Sequence, residues 1–104
     1  MTTKTRTTQD LKSTLKVLAV MKVLTRNMAH GFSSSELARE TGLSASDITR
    51  YVNTLENAGF AERIAETGRI RPSIWFAKSS LAMLHSIDQA QERLGEIKQR
   101  MNRG

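Results

Sequence analysis

Apolar residues recur at spacings of three and four through Leu11, Leu15, Leu18, Met21, Leu24 and Met28, which predicts a helix with one buried stripe. This first helix is expected from about Asp10 and ends between Asn27 and Gly31, where Gly31 is free to take the left-handed conformation. Val17, Val20 and Val23 widen the stripe, so the helix should pack on two sides. Ser33-Ser-Ser-Glu36 offers a capping box, because a Ser hydroxyl and a Glu carboxylate three residues later satisfy each other's exposed amides. A second helix therefore starts near Ser34, buries Leu37 and Ala38, and stops at Gly42, where a residue without a Cβ lets the chain turn sharply. Leu43 is placed as a plug before the next helix. Ser44 caps a third helix running to about Asn57, with Ile48, Val52 and Leu55 facing the core, Tyr51 on the edge of that face, and Gly59 as its C-cap.

Beyond Gly59 the period changes. Phe60-Ala-Glu-Arg-Ile-Ala and Arg69-Ile-Arg-Pro-Ser-Ile-Trp-Phe alternate apolar with polar residues around Glu66-Thr-Gly68, which reads as a hairpin, and Pro72 confines the second strand to an edge. From Ser79 helical spacing returns, with Leu81, Leu84, Ile87, Ala90, Leu94, Ile97 and Met101 on one side. Ile87, Leu94 and Met101 form one heptad row and Met83, Ala90 and Ile97 another, an a/d seam. So short a seam is expected to pack with the first helix of its own or a partner subunit, making Leu84, Ile87, Leu94, Ile97 and Met101 the candidate dimer contacts. The fold class is mainly α with a small β-hairpin: a winged helix-turn-helix plus a long C-terminal helix. Its expected divisions are a disordered basic tail at 1–9, a winged helix-turn-helix DNA-binding domain at 10–78 and a dimerisation helix at 79–104.

At 104 residues the chain fits one small domain with a modest core, which favours a homodimer. It has no Cys, so it builds neither a disulfide framework nor a thiolate metal site, in keeping with a reducing cytosol. The first residues lack the apolar run of a signal peptide, and no apolar stretch of about 18 residues follows, so a cytoplasmic, nucleoid-associated protein without a membrane partner is expected. The formal charge of +6, from 16 Lys and Arg against 10 Asp and Glu, favours a polyanionic partner. Its distribution complicates that: residues 1–35 carry +5, residues 36–66 carry −3 and residues 67–104 carry +4. The helix-turn-helix itself is acidic, so Lys and Arg elsewhere must supply most of the phosphate attraction.

Two short helices joined by a glycine turn and followed by a hairpin place the second helix where side chains reach base edges of a major groove. The sequence also resembles the winged-helix DNA-binding domain of IclR-type transcriptional regulators. The residues that carry the resemblance are Ser35-Glu-Leu-Ala, Thr41-Gly-Leu, Ile48-Thr-Arg-Tyr-Val-Asn-Thr-Leu-Glu, Gly59-Phe and Thr67-Gly-Arg69, with Leu15-Lys-Val-Leu18 similar to the family's first helix. It covers about residues 11–72 and implies a winged helix, a dimer and operator binding. Two departures stand out. Family members continue into an effector-binding domain, whereas here only the last helix follows the wing, so no small-molecule effector domain is expected. The second strand also runs on through Ile74-Trp75-Phe76 with bulky apolar side chains.

Residues at the start of a recognition helix point into the groove, which makes Ser46, Thr49, Arg50 and Asn53 the base-reading candidates. The planar fork of Arg50 suits guanine O6 and N7, and Asn53 suits adenine. Alternatively, Arg50 pairs with Asp47 or Glu56 or solvates an exposed face. Arg69 and Arg71 are placed on the wing, near a minor groove or its phosphates, or else form a charged edge that discourages strand pairing. Ser34, Ser35 and Tyr51 offer hydroxyls to phosphates, although capping would account for the two Ser and a half-buried core ring for Tyr51. Lys4 and Arg6 suit either a minor-groove arm or a solubilising tail. Trp75 and Phe76 suit a stacking platform for bases or, more simply, a plug at the exit of the wing. His30 and His85 have no partners at metal spacing, and no catalytic constellation or phosphate loop is present, so neither an enzyme nor a cofactor is expected. The favoured function is a sequence-specific double-stranded DNA-binding regulator, a repressor by default, acting as a homodimer on a palindromic operator. Its rivals are an architectural, partition or replication protein of a mobile element that coats DNA, and a protein-binding winged helix.

Overall fold

The chain runs α1 (Thr2–Leu24), α2 (Ser34–Thr41), α3 (Ala45–Asn57), β1 (Ala61–Arg63), β2 (Ile70–Pro72) and α4 (Ile74–Arg103). The computed structural model describes residues 11–103 and, for residues 2–10, the backbone alone. The disordered tail expected at 1–9 is corrected: the backbone from Thr2 is already helical, so α1 starts there and not near Asp10, while the side chains of Lys4 and Arg6 lie outside the described residues. Two compact units result, Met1–Ser73 and Ile74–Gly104.

In the first unit α1, α2 and α3 pack on one another, with β2 against α1 and β1 against α3. Val20, Leu24, Leu37, Ile48, Val52 and Ile70 are wholly buried at the centre. The single stripe expected on α1 is corrected here. Only its C-terminal half, Val20, Met21, Val23 and Leu24, enters the core, while Leu11, Leu15 and Leu18 stay exposed. At 100° per residue those three leucines fall on the side opposite Val20 and Leu24, so α1 carries two apolar faces.

Local signals place α2 and α3 as expected. The Ser33 hydroxyl accepts the Glu36 amide at 3.1 Å while the Glu36 carboxylate accepts the Ser33 amide at 3.0 Å, a complete capping box. Gly42 ends α2 at φ +72° with its N–H donating to the Ala38 carbonyl. The Ser44 hydroxyl caps α3 by accepting the Asp47 amide. The end of α3 shifts by one residue: Ala58 is the cap, in a right-handed conformation, and Gly59 follows at φ +84°.

The hairpin pairs Ala61 with Pro72, Glu62 with Arg71 and Arg63 with Ile70. A further antiparallel bridge joins Phe32 to Ile70 and fastens the segment before α2 to the wing. The extension of the second strand through Ile74-Trp75-Phe76 is corrected, since these residues form the first turn of α4, which starts at Ile74 and not at Ser79. Pro72, the last residue of the strand, pairs with Ala61 at a position that calls for no ladder bond from its nitrogen, so its missing N–H costs nothing there. Ser73 then turns the chain, its amide donating to the Phe60 carbonyl at 2.9 Å and its hydroxyl to the Gly59 carbonyl at 2.7 Å. The second unit is α4 alone, a helix of 30 residues about 45 Å long at 1.5 Å per residue. None of its residues is buried, and Leu81, Met83, Leu84, Ile87, Leu94, Ile97 and Met101 all stand exposed.

Candidate nucleic-acid interface

The third helix is split into two faces by its sequence. Ile48, Tyr51, Val52 and Leu55 are buried, and Ser46, Thr49, Arg50 and Asn53 share the exposed side within its first turns. This is the row expected to read bases, and it stands clear of the unit. Thr49 donates its hydroxyl back to the Ala45 carbonyl at 3.1 Å, which leaves its oxygen as an acceptor suited to a base amino group. The Ser46 hydroxyl lies 3.3 Å from that of Ser44.

Arg50 forms the pair with Asp47 that its spacing allowed, at 2.8 Å, while Glu56 pairs with Arg63 at 3.2 Å. Its guanidinium carbon also lies 5.1 Å from the centre of the Tyr51 ring, and Nη2 donates to the Tyr51 hydroxyl at 3.3 Å. The Arg50 side chain remains 67% exposed. An exposed ion pair of this kind contributes about 0.2–1 kcal/mol, little enough to be exchanged for a bidentate contact to a base. Tyr51 is corrected from an edge residue to a core one: its ring is buried and its hydroxyl serves as a rest for Arg50, so a phosphate contact from it is not supported. Ser34 and Ser35 are both exposed in the first turn of α2, and the cap is Ser33, so capping does not account for them.

The wing differs most from expectation. Arg71 donates through Nε and Nη2 to one oxygen of Glu62, its register partner across the hairpin. Arg69 turns inward: Nε donates to the His30 carbonyl at 3.1 Å, Nη2 to the Gly31 carbonyl at 2.9 Å, and Nη2 lies 2.6 Å from Glu36 Oε1. Both arginines are mostly covered, and the exposed tip is Ala65-Glu-Thr-Gly68, which carries no cation. Glu36 titrates well below the ordinary range of a carboxyl, lowered from 4.5 to about 2, chiefly by the Ser33 amide, with the Ser33 hydroxyl and Arg69 adding to it against the opposing effect of desolvation.

A model of the IclR helix-turn-helix domain matches residues 13–65. The chain belongs to the IclR helix-turn-helix family. The crystal structure of Pseudomonas aeruginosa HmgR resembles it with a TM-score of 0.63 and 29% identity, over 72% of this chain and 30% of that one. The chain thus spans less than a third of the length of HmgR. No curated protein matches it. As an IclR-type helix-turn-helix, the first unit is a DNA-binding domain of the transcription-regulator kind. Among the described residues no helix is long and apolar enough to cross a membrane.

Membership in this family makes the acidic count of residues 36–66 a question of geometry. Of the six acids there, five are held by arginines: Glu36 by Arg69, Glu40 by Arg26, Asp47 by Arg50, Glu56 by Arg63 and Glu62 by Arg71. Three of those arginines come from outside the segment, so folding cancels locally what the linear count leaves at −3. Arg39, exposed in the last turn of α2, is the cation of this segment left without an ion pair among the described residues. Sequence reasoning passed over it because nothing in the linear order marks which arginines are spent on partners.

Proposed function

We propose that this IclR-type chain is a cytoplasmic, nucleoid-associated, sequence-specific regulator that binds double-stranded DNA as a homodimer on a palindromic operator and represses by occupying a promoter. The observation that carries this reading is the exposed polar row Ser46, Thr49, Arg50 and Asn53 on α3, in which the resting partner of Arg50 is easily exchanged. In a helix-turn-helix the first helix crosses the backbone, which puts Ser34, Ser35 and Arg39 of α2 beside phosphates.

The second copy is supported by what a single copy leaves uncovered. Leu11, Leu15 and Leu18 on α1 and Leu84, Ile87, Leu94, Ile97 and Met101 on α4 form apolar rows exposed by between 45% and 76%. Burial of such rows against a twin brings two recognition helices to half-sites about 34–36 Å apart, or a multiple of that distance. Local neutralisation of the acids weakens the case for a protein-binding winged helix that meets a basic partner.

The test is selection of bound duplexes from a random pool, followed by footprinting and Arg50→Ala. A bounded footprint with two related half-sites is expected. Arg50→Ala should cost about 1–3 kcal/mol of specific binding and relax the preference at one base pair of each half-site. A footprint that spreads along the duplex favours a coating protein, and an unchanged operator affinity in Arg50→Ala removes Arg50 from base reading.

A further inference from the structure

The wing of a winged helix is useful to DNA binding only if it is held at a fixed place relative to the recognition helix. Here the hairpin springs from the end of α3, and its return strand meets the segment before α2 through the Phe32 and Ile70 pair, each donating its amide to the other's carbonyl at 2.8 Å. Arg69 precedes Ile70 and extends that pairing with side-chain bonds. Its guanidinium gathers the His30 and Gly31 carbonyls and the Glu36 carboxylate, three acceptors that lie 33 or more residues away in sequence. Glu36 is itself fixed by the capping box, so the N-terminus of α2 is the anchor. A planar fork with several donors suits this arrangement, which the single ammonium of a lysine cannot reproduce.

We propose that Arg69 and Glu36 form a latch that fixes the wing against the start of α2, so that wing and recognition helix reach DNA as one preset surface. Arg69 is then a positioning residue and not a phosphate contact. The inference rests on the DNA-binding reading above and adds to it how the interface is kept in register. It also makes an unusual demand of Glu36, an acid within the DNA-binding unit. Simple electrostatics says that removing a negative charge strengthens DNA binding. A latch says that removing it weakens binding, because the wing loses its place.

Glu36→Gln is the decisive variant, since Gln also serves in a capping box and α2 keeps its start. Operator affinity is measured by fluorescence anisotropy against salt concentration for the whole chain, using the selected duplex, at a temperature where circular dichroism shows every variant folded. Arg69→Ala and Glu36→Gln should each weaken binding about tenfold with the salt slope unchanged, and the double variant should be no weaker than either. Arg69→Lys should fall between. The proposal is overturned if Arg69→Ala lowers the slope by about one while Glu36→Gln binds as well as or better than wild type, the behaviour of a phosphate contact. It is equally overturned if both variants melt earlier yet bind as wild type when folded. Should wild type select no duplex, the regulator reading fails by itself, and the latch is then judged by amide exchange: faster exchange at Phe32 and Ile70 in both variants supports it, and unchanged exchange overturns it.

Discussion

Gly31 and Gly42 have nearly the same backbone conformation, φ +74° and +72°, but differ in what surrounds them. A Cβ built on Gly42 meets nothing within 4 Å, whereas one on Gly31 lies 2.6 Å from the Ile70 carbonyl oxygen and 3.1 Å from its carbon. Both substitutions to Ala incur the cost of a left-handed L-residue, about 1–2 kcal/mol. Only Gly31→Ala must also displace backbone, and that oxygen accepts the Phe32 amide at 2.8 Å, so relief by movement loosens the bridge between wing and α2. Overpacking of this kind costs about 1–3 kcal/mol more, which places Gly31→Ala at about 2–5 kcal/mol against 1–2 for Gly42→Ala. Urea denaturation followed by circular dichroism measures the difference directly, and Gly68→Ala, at φ +73° with open space, serves as a second control. If all three variants lose the same stability, the close approach of Gly31 to Ile70 has no energetic weight and the account of how the wing is fastened is wrong.

Arg39→Ala is expected to weaken binding to all duplexes alike and to lower the salt slope by about one, read from affinities at several salt concentrations; an unchanged slope removes Arg39 from the phosphate contacts. Leu94→Asp, in the middle of the exposed row of α4, should give monomers by analytical ultracentrifugation, and a dimer as tight as wild type would clear this row of any role in association. The carboxyl of Glu36 is held below its unfolded value, so its contribution to stability is fully present above pH 4.5 and is lost as pH falls toward about 2. Acid denaturation of Glu36→Gln should therefore be flatter than wild type across that interval, and parallel curves would contradict the capping and Arg69 contacts assigned to Glu36.

Much of the first unit was legible because its signals are local. Ser33, Glu36, Gly42 and Ser44 act on residues three or four away, and their types alone bound α2 and α3. What could not be read depends on distant partners or on copies. Ile74-Trp75-Phe76 is an apolar run that a strand and a helix accommodate equally, and the decision came from Pro72 and Ser73 closing the hairpin one step earlier. Leu11, Leu15 and Leu18 looked like core because a helix period cannot tell a face buried by its own chain from one left for another. Arg69 looked like a wing contact because its acceptors lie far away in sequence.

The pairing of charges has a consequence for how such a domain divides affinity from specificity. Arg26, Arg63, Arg69 and Arg71 are committed to carboxylates, and Arg50 rests on Asp47, so few cations around the helix-turn-helix are ready to neutralise phosphates. Arg39 on α2 and Lys12, Lys16 and Lys22 on α1 are exposed without an ion pair among the described residues. Since each neutralised phosphate adds about 0.9 to the salt slope, the first unit by itself, with so few available cations, should hold arbitrary duplex only weakly. Arg50 belongs to a different class. Leaving Asp47 costs it little when a guanine edge accepts its guanidinium, yet it leaves Asp47 uncompensated beside the groove unless a neighbouring cytosine or adenine amino group is there to donate to it. A site built this way discriminates by the penalty at wrong sequences more than by attraction at all of them. Asp47→Asn should therefore raise affinity for unrelated DNA more than for the operator, and the opposite order would show that Asp47 merely orients Arg50.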